Sequence, residues 1–140
     1  MLEIVIEPKR IRIGRDSISY DDYYFNVWDD GKDPSVPIER RVVAQWADAI
    51  ERLGPSQSTA YLPFSLEDQS VEAFRARLIG DKVALRRVVV EANGYALDLD
   101  NLHEFMQQDH RILQQYPQDF GAYERSDLIA GLRSARIDAA

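Results

Sequence analysis

The chain has 140 residues, enough for one hydrophobic core, and its 45% hydrophobic and 29% charged content is that of a folded domain rather than a disordered segment. A formal charge of −7, from 24 acidic against 17 basic residues, opposes general affinity for nucleic acid or anionic lipid and favours a basic partner. The absence of cysteine excludes disulfides, thiolate metal sites and a thiol nucleophile, and it fits a reducing, cytoplasmic setting.

The N-terminus, with Glu3 early and no basic segment before an apolar stretch, is not expected to be a signal peptide. Apolar runs reach only about three residues, as in Val88–Val90, against the roughly 20 needed to span a bilayer. No membrane association is expected, and residues 1–140 are read as a single domain.

In chain order, Leu2, Ile4 and Ile6, then Ile11 and Ile13, alternate around Pro8-Lys9 and predict an N-terminal β-hairpin. After Gly14, Ser17–Tyr20 predicts a third short strand, and Asp21–Pro37 reads as irregular. Ile38, Val42, Val43, Trp46, Ile50 and Leu53 recur at helical spacing, which predicts an amphipathic helix. Pro37 suits its first turn, and Gly54-Pro55 suits a left-handed cap followed by a stop. Thr59–Phe64, Val71–Ile79, Lys82–Glu91 and Tyr95–Leu99 read as strands. Gly80-Asp81 suits a type II′ turn and Asn93-Gly94 a type I′ turn, so a three-stranded meander is predicted.

Beyond it, Asn101 with Glu104 predicts the start of a helix using Leu102, Phe105, Met106, Ile112 and Leu113, broken near Asp109 and stopped by Pro117. Ser126 is the expected cap of a last helix burying Leu128, Ile129 and Leu132. The predicted class is α+β: an antiparallel sheet, made of the hairpin plus the meander, with helices packed on one face.

Motifs for nucleotide binding, serine hydrolysis or zinc proteolysis are missing from the sequence, and neither a catalytic residue, a cofactor nor a metal is predicted. His103 and His110, seven apart on a helix, would stand about 10 Å from each other along its axis, too far to share one metal. Asp98 and Asp100 fit turn and capping roles as well as cation binding. Arg75, Arg77, Lys82, Arg86 and Arg87 gather on two strands. Arg75 and Arg77 share a face, whereas Arg86 and Arg87 point to opposite ones, as a solvated sheet or a nucleic-acid stripe would arrange them.

Residues Tyr20–Asp33 combine five aspartates with five aromatic side chains. Aromatics dominate interface hot spots, and clustered carboxylates steer a basic partner inward. Asp21, Asp22, Tyr23, Tyr24, Trp28, Asp29, Asp30 and Asp33 are therefore candidate partner-binding residues, with the core as the alternative destination of the aromatics. Glu67 and Asp68, at the turn before the meander, are candidates to extend the same negative surface, with ordinary turn residues as their alternative.

The amphipathic helix, the stretch Tyr61-Leu62-Pro63-Phe64-Ser65-Leu66-Glu67-Asp68-Gln69-Ser70 and the arginine-bearing strands after it, about residues 36–99, resemble bacterial immunity proteins of contact-dependent and other polymorphic toxin systems. The resemblance implies a cytoplasmic, non-enzymatic inhibitor. Such a protein binds a cognate toxin domain with a basic surface, commonly a nuclease, and blocks its active site or substrate path. The other readings are an enzyme built on Asp98, Asp100, His103 and Glu104, and a homodimeric adaptor whose own partner is the aromatic loop. Pro63 is expected at a sheet edge or bulge, where no ladder N–H is required.

Overall fold

A computed structural model describes residues 2–20, 35–93, 96–98 and 100–138. The described strands form two four-stranded sheets. The first has the order β3-β2-β1-β8, from β1 (Ile4–Glu7), β2 (Arg10–Ile13), β3 (Asp16–Ser19) and β8 (Arg136–Ile137). The second is a meander in sequence order: β4 (Thr59–Leu66), β5 (Ser70–Ile79), β6 (Lys82–Glu91) and β7 (Ile112–Glu124). Helices α1 (Ile38–Glu51), α2 (Leu102–Gln107) and α3 (Arg125–Arg133) complete the α+β architecture.

The hairpin forms as predicted, with Ile4 opposite Ile13 and Ile6 opposite Ile11. Lys9 takes a φ of +64° in its two-residue turn. The third strand also forms, and β8 closes the far edge by pairing parallel with β1. The hairpin therefore founds its own sheet beside the meander. One buried cluster nevertheless joins both sheets: Ile4, Ile6, Ile11, Ile13 and Ile18 share it with Trp46, Phe64, Phe74 and Phe120. Phe74 lies at its centre, with ring centroids 6.2 Å from Trp46, 4.9 Å from Phe64 and 5.0 Å from Phe120.

Helix α1 buries Val42, Val43, Trp46, Ala47, Ala49 and Ile50, close to the stripe its periodicity predicts. Pro37 is its N-cap, and the Pro37 carbonyl accepts from the Arg40 and Arg41 amides. The C-terminus departs from expectation. Arg52 caps it in right-handed geometry, and Gly54 exchanges backbone hydrogen bonds with Gln57 rather than adopting a positive φ.

Gly80 has a φ of +63° and Asp81 does not go positive, as a type II′ turn requires between β5 and β6. Pro63 sits on edge strand β4 beside a register shift, where its missing N–H breaks no ladder. After β6 the chain departs from expectation. Ala96–Asp98 is not a strand: Ala96 lies in a 3₁₀ turn, and Gly94, Tyr95 and Leu99 lie outside the described residues. The strand that follows β6 is β7.

Helix α2 ends at Gln107, and Ile112, Leu113 and Pro117 belong to β7. Their apolar spacing matches a helix, but the β6 edge offers backbone partners, and tertiary pairing overrides the local pattern. Asn101 occupies the N-cap without a side-chain cap bond. Its Oδ1 accepts from the Asp98 amide at 2.8 Å, and Asp98 Oδ1 accepts from the Asn101 amide at 2.9 Å. Ser126 lies inside α3, whose N-cap is Glu124; Leu128 and Leu132 are buried, and Ile129 is partly so.

Strand alternation assigns the two faces of the meander. One carries Leu62, Phe74, Ala76, Leu85 and Arg87, and Trp46 of α1 packs on it. The other carries Tyr61, Arg75, Arg77, Ile79, Lys82 and Arg86. There Tyr61 is buried against His110, ring centroids 4.9 Å apart, and His110 in turn lies 4.2 Å from Phe105 of α2.

Candidate functional site

At the end of the meander where β4 turns into β5, the chain leaves an open groove of about 1540 Å³. It is lined by the turn Glu67–Ser70, by Glu91 at the end of β6 with Ala92 and Asn93 after it, and by Asp109, His110 and Arg111 before β7 with Leu113 near its start. Backbone bonds hold these three segments together. The Glu67 amide donates to the Ser70 carbonyl at 2.9 Å, Ala92 to Gln69 at 3.2 Å, and Glu91 to Arg111 at 2.8 Å. The groove is thus mounted on paired strand ends rather than on a free loop, which favours a fixed shape.

Four carboxylates, Glu67, Asp68, Glu91 and Asp109, face one guanidinium, Arg111. Arg111 approaches Glu91 at 3.5 Å with both side chains mostly exposed, so the pair is weak and screened by salt. Ser70 Oγ donates to Glu67 Oε2 at 3.3 Å. Within this acidic setting Leu113 is 49% exposed, and Leu66 lines the groove partly buried. Leu113 and Ile79 are the exposed large aliphatics among the described residues. An apolar anchor ringed by carboxylates suits a protein segment that carries an aliphatic side chain flanked by lysine or arginine.

His110 is partly buried between Tyr61 and Phe105, with Nε2 2.7 Å from the Phe105 carbonyl oxygen. A carbonyl oxygen only accepts, so Nε2 is the donor in this contact, and the two flanking rings make His110 a wall of the groove rather than an exposed ligand.

Of the predicted partner-binding residues, Glu67 and Asp68 line this groove, exposed. Asp21, Asp22, Tyr23, Tyr24, Trp28, Asp29, Asp30 and Asp33 lie outside the described residues. Glu91, Asp109 and Leu113 were not predicted. Asp109 reads as a helix break and Leu113 as a buried helical position, and only the pairing of β6 with β7 brings them beside Glu67.

Two of the residues that an enzyme site would use have partners of their own in the structure: Asp98 is tied to Asn101, and His103 Nδ1 lies 2.5 Å from Arg52 Nη1. Among the described residues, no group of three or more His, Asp or Glu is arranged to hold a metal ion, and no helix is long and apolar enough to cross a membrane. No family model, curated protein or solved structure matches this chain.

Proposed function

We propose that this protein is an immunity protein: a cytoplasmic, non-catalytic inhibitor that binds a cognate bacterial toxin domain with a basic surface and blocks its active site or substrate path. The observation that supports this most is the groove, where Leu113 stands exposed among Glu67, Asp68, Glu91 and Asp109. A nuclease presents a basic track to its substrate. A rigid acidic groove can occupy that track by imitating the charge of the substrate, while Leu113 adds the apolar contact that nucleic acid lacks.

The sequence resemblance over residues 36–99 points the same way. The test is co-production of the protein with a basic protein captured on it from the bacterium that makes it. Relief of that partner's toxicity by the wild type, and not by a Glu67→Lys, Leu113→Asp variant, supports the reading; equal relief by both removes the groove from it.

A second reading, a homodimeric adaptor, draws on β7. This strand is an edge of its sheet, and Leu113, Gln114 and Gln115 are exposed along it. An exposed edge can pair with a second copy. Sedimentation at increasing concentration distinguishes the two, because only the adaptor dimerises through Leu113.

A further inference from the structure

At the opposite end of the meander the charge reverses. Arg75 and Arg86 are directly opposite each other across β5 and β6, Arg77 follows two residues on along β5, and Lys82 opens β6 beside the exposed Ile79. All five side chains belong to one face of the sheet. Like charges directly opposite in a ladder are destabilising unless something neutralises them.

The adjacent residue gives the contrast. Arg87, on the other face, pairs with Glu72 at 3.0 Å and lies 4.1 Å from the Tyr116 ring centroid. Arg75, Arg77, Lys82 and Arg86 have no ion pair or side-chain hydrogen bond to another described residue, and Arg75 Nε is shielded from water without an acceptor. The register brings in two acids on β7, with Asp119 opposite Arg86 and Glu124 opposite Lys82. In sequence terms, four basic residues stand against these two acidic ones, on a chain whose total is −7.

We infer that this face is a docking surface for an acidic protein segment carrying aliphatic side chains. Residues on one side of an extended peptide repeat about every 6.8 Å, the same spacing as Arg75 and Arg77, so successive glutamates or aspartates meet successive guanidinium groups. Arginine forks pair with carboxylates in bidentate geometry. Ile79, 61% exposed at the edge of the cluster, gives such a segment an apolar contact.

Two features favour a peptide over a nucleic acid. The overall negative charge repels a long polyanion, and the described aromatic ring on this face, Tyr61, is 3% exposed and offers no platform on which bases stack.

The test measures fluorescence anisotropy of a short labelled peptide of alternating glutamate and leucine, with a glutamine-for-glutamate control and a single-stranded oligonucleotide as separate probes. The wild type should bind the acidic peptide at least about tenfold more tightly than either control, and Arg75→Gln with Arg77→Gln should abolish that difference. In a parallel thermal melt without peptide, Arg75→Gln should be at least as stable as the wild type, because it removes one member of a like-charge pair. Equal binding of all three probes, tighter binding of the oligonucleotide, or a marked loss of stability in Arg75→Gln would overturn the inference. Self-association abolished by the same variants would also overturn it, by assigning the face to a second copy.

Discussion

Glu72 and Arg87 meet diagonally across β5 and β6, with both carboxylate oxygens 3.0 Å from the same guanidinium nitrogen, Nη2. The side chains are only 20% and 24% exposed, and the Tyr116 hydroxyl donates to Glu72 Oε1 at 3.1 Å while its ring lies against the guanidinium. This is a half-buried network, so losing one member leaves another charge poorly solvated. Glu72→Gln is expected to cost about 1–3 kcal/mol in urea unfolding. Glu72→Gln combined with Arg87→Met should recover part of that loss.

Tyr116 titrates above its ordinary value of 10.0, first because of desolvation and then because of the Glu72 charge and hydrogen bond. A phenol whose folded value is raised stabilises the fold fully below the unfolded value, and that stability is lost as pH rises through the folded value. Ultraviolet titration should therefore show a component that ionises above the ordinary tyrosine range. Tyr116→Phe should remove that late component, and stability of the wild type should decline more steeply than that of the variant above about pH 10.

Gly131 of α3 lies close to Leu2 and Ile4: an added Cβ would stand 3.2 Å from the Leu2 carbonyl oxygen and 3.3 Å from Ile4 Cδ1. Backbone on one side limits how far the site can relax. Gly131→Val should destabilise by about 1–3 kcal/mol despite its gain in helix propensity over glycine, and a thermal melt followed by circular dichroism checks it.

If the groove steers its partner by charge, association should slow as salt rises, while dissociation changes little. Exposed charges are screened beyond about 10 Å at 0.1 M salt. Stopped-flow association rates that do not change between low and moderate salt would remove the electrostatic part of the account.

Much of this architecture is legible in the sequence because local signals and tertiary demands agree there. Pro37 and the stripe from Val42 to Ile50 specify α1, and Gly80-Asp81 specifies the β5–β6 turn. They disagree after Asp109. Ile112 and Leu113 continue a helical spacing, yet β6 presents an unpaired edge, and pairing there satisfies more backbone groups than another turn of helix. The groove inherits that ambiguity. Glu67 and Asp68 are readable as surface acids of a turn, whereas the contributions of Glu91, Asp109 and Leu113 depend on a strand pairing that no short-range pattern announces.

The most direct test of the central claim is the equilibrium affinity of the captured basic partner for the wild type and for the Glu67→Lys, Leu113→Asp variant, measured at one salt concentration by surface plasmon resonance. Both positions are exposed, so the fold should survive, as circular dichroism can verify. Binding through the acidic groove should be weakened at least about tenfold in the variant, with most of the Leu113 effect in the dissociation rate. An unchanged affinity in a folded variant would contradict this and place the partner surface elsewhere on the molecule.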